Sequence, residues 1–143
     1  MISLLKKVHL FNQLTDHELA QLAEIATEVT HKPGEIIVRQ NTTGKEIYVV
    51  AEGAVDVYVD GLDNERVLVV LGTGQVFGEM ALIGHGYRSA SCRAGRDGCK
   101  AYVILFDDFN TLCENNKNIG YVVMRNIALD LAFKLRHRNL ASM

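Results

Sequence analysis

The stretch GTGQVFGEMALIGHGYRSAS, residues 72–91, decides the fold. Here a glycine-rich turn runs into a short segment with helical character (79–83) and then through two more glycines to Arg88. Backbone N–H groups at the start of such a segment favour a negative ligand, and a planar guanidinium matches the oxygens of a phosphate. Glu79, which would repel an anion, suits a sugar hydroxyl instead. Together these residue types predict a nucleotide site.

Short β-rich runs separated by glycine surround this stretch. They lie at 36–38, 46–50, 54–59, 66–71 and 101–105. Strands spaced by about 8 to 12 residues, with turn signals between them, are typical of an antiparallel sandwich or barrel. We therefore expect the middle of the chain to be a β-structure of that kind.

Helical patterns flank the predicted strands. Thr15 and Glu18 have the spacing of a capping box, and apolar residues then recur at helical spacing as far as Ala26. Towards the C-terminus, Asp107 and Asp108 are candidate N-caps of a short helix. A longer helix is predicted by an apolar stripe with four-residue spacing, formed by Ile119, Val123, Ile127, Leu131 and Leu135. We expect this stripe to pack on the core first, and its part beyond Ile127 to be a candidate dimer contact.

Composition narrows the class of protein. The chain has 143 residues, of which 48% are apolar and 22% charged, as expected for one soluble domain. The net charge of −2 argues against a protein that grips nucleic acid. We find no apolar run of the roughly 18 residues that span a bilayer and no signal peptide. These features predict a cytoplasmic protein without direct membrane or nucleic-acid contact.

Cysteines and histidines give no sign of metal or catalysis. Cys92, Cys99 and Cys113 form no CxxC pair, and an odd number of cysteines fits reduced thiols in a cytoplasm. The five histidines form neither HxH nor HExxH, so we predict no metal site and no cupin-type metalloenzyme. No motif places a histidine base beside Ser89 or Ser91. We predict no catalytic residues and no enzyme activity.

The deciding stretch resembles the phosphate-binding cassette of cyclic nucleotide-binding domains, the family of catabolite activator protein, protein kinase A regulatory subunits and nucleotide-gated channels. That cassette reads F-G-E-(L/M)-A-L, then variable residues, then R-(S/T/A)-A. The chain has FGEMAL at 77–82 and RSA at 88–90, with Glu79 and Arg88 nine positions apart. Further similarity lies at 11–22, 32–37, 47–55 and 106–109, so the resemblance covers nearly the whole chain.

The resemblance implies a mainly β fold with flanking helices, a double-stranded β-helix or jelly roll. It implies a single domain over 1–143. N-terminal helices would occupy 1–30, and a β-roll would occupy 31–106 with its cassette at 77–90. Hinge and lid helices would follow over 107–143.

The same resemblance implies seven ligand contacts in the cassette: Gly78, Glu79, Met80, Ala81, Leu82, Arg88 and Ser89. Gly78 and Glu79 would hold the ribose 2′-hydroxyl. The backbone N–H groups around Met80, Ala81 and Leu82 would face the cyclic phosphate. Arg88 would neutralise that phosphate, and Ser89 would add a contact. Weaker candidates are Val69 and Leu71 for an apolar wall, with Arg138 or Asn139 of the lid contacting the base.

The implied function is a regulatory sensor that binds cAMP or cGMP, with cAMP favoured, and moves its C-terminal helices on binding. It needs no cofactor, and its partners would be a second copy through the C-terminal helix and an unidentified effector. One alternative is the N-terminal effector domain of a truncated catabolite-activator-type transcription regulator. Another is an interaction module without a ligand, in which Arg88 and Glu79 only pair with each other. His85 is interpreted as a solvated loop residue, and Asn41 as a left-handed turn position.

Overall fold

A computed structural model describes the backbone of residues 1–142 and the side chains of residues 1–137. It has short helices at the N-terminus, six strands and two C-terminal helices. The helices and strands are α1 (Ile2–Lys6), α2 (Asp16–Glu24), β1 (Ala26–His31), β2 (Ile36–Val38), β3 (Glu46–Asp60), β4 (Glu65–Leu71), β5 (Val76–Phe77), β6 (Ser91–Leu105), α3 (Phe106–Asn115) and α4 (Lys117–Ser142). Two 3₁₀ turns, His9–Phe11 and Glu79–Ile83, complete the order of elements.

All six strands belong to one antiparallel sheet. Its main path is β1-β6-β3-β4, while β2 pairs with β6 and β5 pairs with β3. The two 15-residue strands β3 and β6 bend through register shifts, so that the sheet curls on itself. The predicted antiparallel β-roll with flanking helices is thus confirmed, although two of the predicted strands, 46–50 and 54–59, are parts of one.

The N-terminal helix α2 begins as the sequence predicts and ends earlier. Thr15 Oγ1 accepts a hydrogen bond from the Glu18 N–H at 3.2 Å, and Glu18 Oε1 accepts one from the Thr15 N–H at 3.1 Å. The helix ends at Glu24, so the expectation of helix over 1–30 is wrong from residue 26 onwards. Thr27 and Val29 have branched side chains that favour strands, and β1 pairs with the whole C-terminal part of β6.

Two apolar clusters fill the fold. The larger lies between the helices and the sheet and includes Leu5, Leu22, Ile104, Phe109 and Val123. The smaller lies inside the roll and consists of Val38, Val50, Val55, Leu71, Phe77, Cys92, Ala94, Cys99 and Ala101. Cassette residues contribute to both clusters, which ties the cassette to the helices and to the roll.

The C-terminal helices follow β6 without an intervening loop. α3 begins at Phe106, with Leu105 as a cap that makes no side-chain hydrogen bond, so Asp107 and Asp108 are not N-caps. They lie in the first turn, where the helix dipole favours negative charge.

The long helix α4 divides into two halves. Ile119, Val123 and Ile127 are buried, whereas Leu131 and Leu135 are 36% and 58% exposed. The predicted stripe therefore packs on the core only as far as Ile127. No helix described within residues 1–142 combines the length and hydropathy that crossing a membrane requires.

Candidate functional site

A cavity of about 350 Å³ opens between the cassette and the roll. That volume lies within the range of small-molecule sites in proteins. Its lining includes both charged or polar and apolar residues. The lining residues are Val38, Val57, Val69, Leu71, Val76, Phe77, Gly78, Glu79, Met80, His85, Tyr87, Arg88, Ser89, Ala90, Cys92 and Lys134.

Most of the residues predicted from the sequence meet in this cavity. Five of the seven cassette candidates line it, as do both wall candidates, Val69 and Leu71. The other two, Ala81 and Leu82, are absent from the lining, and their side chains are 2% exposed. The resemblance assigns these two residues backbone N–H contacts, and the Ala81 N–H donates to the Gly78 oxygen at 3.0 Å. The side chains of the proposed lid contacts, Arg138 and Asn139, lie outside the described residues.

Arg88 is a charged group of this lining. Its side chain is 5% exposed, and its Nη2 donates to the backbone oxygen of Glu46 at 2.9 Å and to Glu46 Oε1 at 3.3 Å. Its Nε is buried and has no hydrogen-bond partner among the described residues. A buried N–H of a charged group without an acceptor is costly. Arg88 thus brings a buried positive charge to the lining of the cavity, with one of its donors unpartnered.

Two glycines make room for this guanidinium. Gly78 has φ of +79°, in the left-handed region that favours glycine, and a Cβ there would collide with Arg88 Nη1. Gly44 needs no unusual backbone angle, but a Cβ there would lie 2.8 Å from Arg88 Nε. Arg88 therefore occupies a slot between two backbones. The cassette motif indicates Gly78, whereas only the structure reveals the role of Gly44.

The apolar lining of the cavity comes mainly from the five strands β2 to β6. Phe77 stacks in parallel on Tyr48 with 4.7 Å between ring centroids. Cys92 lies beside them, and burial raises the pKa of its thiol to about 12, with the charge of Glu79 adding to the shift and that of Arg88 opposing it. At neutral pH the thiol is protonated and behaves as a small apolar group.

The structure adds residues that sequence reasoning missed. Lys134 of α4 reaches the cavity with its Nζ 3.0 Å from Asp130 Oδ2, and Tyr87 donates from its hydroxyl to Asn41 Oδ1 at 2.5 Å. His85 also lines the cavity, although the sequence suggests only a solvated loop. The predicted left-handed turn at Asn41 is confirmed by its φ of +66°. Lys134 lies one helical turn before Arg138, on the helix to which the sequence assigns the lid contacts.

Comparison with known proteins decides the family. The model of the cyclic nucleotide-binding domain matches residues 28–116. The chain belongs to this family. The chain is 33% identical over 121 residues to a cGMP-dependent protein kinase of Drosophila melanogaster, isozyme 2 forms cD5/T2. That match covers 82% of this chain and 13% of the kinase, so the chain spans a small part of the length of such relatives.

Solved structures agree. The N-terminal domain of a transcriptional regulator from Streptomyces coelicolor superposes with a TM-score of 0.83 at 27% identity, covering 98% of this chain and 95% of that one. The regulatory domain of Toxoplasma gondii PKA, crystallised with cAMP, superposes with a TM-score of 0.71 at 26% identity, covering 78% and 42%. The family assigned from the cassette is therefore confirmed.

No cluster of three metal-ligating side chains is found within the part of the chain that the structure describes. Its three cysteines are free and lie buried or half-buried, and burial raises the pKa of Cys99 as well as that of Cys92.

Proposed function

We propose that this domain is a regulatory sensor that binds cAMP or cGMP in the cavity between cassette and roll. One observation carries the proposal: the buried guanidinium of Arg88 lines a cavity that also has apolar lining residues, among them Val69 and Leu71. Glu79 lines the same cavity, so one ligand can present a phosphate to Arg88 and a sugar hydroxyl to the carboxylate. We propose regulation rather than catalysis as its role.

The proposal orients the ligand through groups already in place. The phosphate would pair with Arg88, the ribose hydroxyl would donate to Glu79, and the base would lie against Val69 and Leu71. Lys134 of α4 also lines this cavity. A ligand that contacts Lys134 would therefore favour the position of α4 in which Lys134 lies close to the ligand. The named ligands of the relatives, cGMP for the kinase and cAMP for the PKA domain, support both nucleotides as candidates. We favour cAMP.

Isothermal titration with Arg88→Ala tests the phosphate contact. Charge-assisted hydrogen bonds contribute about 1.5 to 3 kcal/mol each, so the affinity for cyclic nucleotide should fall more than tenfold. Arg96→Ala, at an exposed arginine of the same strand as Cys92, is the matched control and should bind as the unaltered protein does. Arg88→Lys retains the charge without the planar fork and should bind with intermediate affinity. Equal affinities of the Arg88→Ala variant and the unaltered protein would refute the role.

A second copy of the chain is the partner that the surface of α4 favours. Leu129, Phe133 and Leu135 are 53%, 61% and 58% exposed on the half of α4 that leaves the core. Such a helix, apolar beyond its buried face, is typical of one that packs against another element. We propose a homodimer through this half. The similarity to an N-terminal domain of a transcriptional regulator keeps an effector role within a larger regulator as the second candidate function.

A further inference from the structure

The carboxylate of Glu46 lies behind the guanidinium of Arg88. Glu46 is the first residue of β3 and does not line the cavity, yet its Oε1 lies 3.3 Å from Arg88 Nη2. Its other oxygen accepts from the Lys45 N–H at 3.1 Å, and Oε1 also accepts from the Tyr48 hydroxyl at 3.2 Å. Three donors thus fix the position of this carboxylate.

Tyr48 remains a donor at any ordinary pH. Burial raises the pKa of its hydroxyl to about 12, and the neighbouring Glu46 charge contributes to that rise. The hydroxyl therefore donates to the Glu46 carboxylate, which contacts Arg88 without lining the cavity.

The guanidinium does not depend on the Glu46 charge for its position. Gly44 and Gly78 enclose it, and the backbone oxygen of Glu46 accepts from Nη2 at 2.9 Å. A glutamine at position 46 leaves these restraints intact and still offers an oxygen near Nη2. The substitution therefore changes the charge beside Arg88 while largely preserving the geometry.

We propose that Glu46 sets the ligand affinity of the site by neutralising Arg88 before an anion arrives. The inference rests on the proposed function and deepens it: Glu46 acts through the charge of Arg88 and lowers the affinity for the phosphate. A negative charge on one side of the guanidinium repels an anion that binds on the cavity side, and the repulsion acts across a partly buried site where screening is weak. Without this charge, the affinity rises and the ligand-free protein is left with an uncompensated buried cation.

Glu46→Gln tests the inference by titration with cAMP and cGMP. We expect its dissociation constant to be about five- to tenfold lower than that of the unaltered protein, from Coulomb repulsion over several ångströms of partly polar medium. The ligand-free variant should also melt at a lower temperature and gain more stability from saturating ligand. A loss of packing alone cannot tighten binding, so the direction of the change separates the two explanations.

Two controls complete the experiment. Glu52→Gln removes an exposed carboxylate of the same strand and should leave affinity within twofold, and Glu46→Asp keeps the charge and should remain closer to the unaltered protein than to Glu46→Gln. Unchanged or weaker binding by Glu46→Gln overturns the inference while the proposed function stands. If the unaltered protein binds neither nucleotide, the proposed function fails, and inorganic phosphate becomes the probe. A larger rise in melting temperature for Glu46→Gln than for the unaltered protein then supports the inference, and an equal rise overturns it.

Discussion

Asn126 links the two ends of the chain, and its removal should be costly. The residue is 6% exposed on α4, and its Nδ2 donates to the backbone oxygens of Leu10 at 2.8 Å and Asn12 at 2.9 Å. In Asn126→Ala both acceptors lose their donor. The Leu10 oxygen lies in a buried environment, where an unsatisfied acceptor costs about 1 to 3 kcal/mol. The Asn12 oxygen is at an exposed residue, where water replaces the donor and the loss is about 0.5 to 1 kcal/mol.

The expected loss in free energy of unfolding is therefore about 1.5 to 4 kcal/mol. For a domain of this size, about 3 °C of melting temperature corresponds to each kcal/mol, so the midpoint should fall by roughly 5 to 12 °C. Urea denaturation followed by circular dichroism measures this loss. If the free energy of unfolding depends on urea concentration with the same slope in both proteins, the variant and the unaltered protein expose similar surface on unfolding. Asn110→Ala is the matched control, because this exposed asparagine bonds only to Glu114 within α3. A loss below 1 kcal/mol for Asn126→Ala, or one equal to the control, would refute the reasoning.

Two further predictions concern α2 and α4. Burial opposes the charge on Glu18, but hydrogen bonds from Asn118 and Thr15 outweigh it and lower the pKa of this carboxyl below 4.5. Its charge therefore stabilises the fold above that pH and less so as the pH falls through the lowered pKa. Glu18→Gln, which retains a capping acceptor, should be less stable than the unaltered protein at pH 7, measured by urea denaturation. The difference should shrink as the pH falls through the lowered pKa of Glu18, and a difference independent of pH would contradict this. Phe133→Glu should convert the proposed dimer to a monomer, as measured by light scattering, without lowering the melting temperature of the monomer. If the unaltered protein is a monomer at every concentration, the dimer is excluded.

The fold could be predicted from the sequence wherever a local signal and the tertiary structure agree. The capping box of Thr15 and Glu18 is such a signal, since both partners lie within one turn. The end of α2 was predicted too late, because Ala26 fits the helical stripe while its pairing with Ile104 depends on a strand far away in the chain. The sequence predicts two strands where the structure has the single strand β3, because Gly53 between them is typical of a turn. In the structure Gly53 has φ of +80°, and the strand continues through it.

The candidate site divides in the same way. Gly78, Glu79 and Arg88 follow from the cassette motif, because contiguous residues carry the chemistry. Glu46 and Gly44 do not follow from the motif, because they lie some forty residues before Arg88 in the chain. Only the fold brings these two residues into contact with the guanidinium. Ala81 and Leu82 also come from the motif, through their backbone N–H groups, while their side chains are buried in the 3₁₀ turn.

The continuity of α4 has a mechanical consequence. Its buried half ends at Ile127, and the residues from 128 to 142 extend the same helix by about 22 Å at 1.5 Å per residue. A tilt of about 10° at the buried end therefore displaces the far end by roughly 4 Å, several times the shift of the core residues that cause it. A small rearrangement around Ile119 and Val123 is thus enlarged into a displacement that a neighbouring molecule can detect.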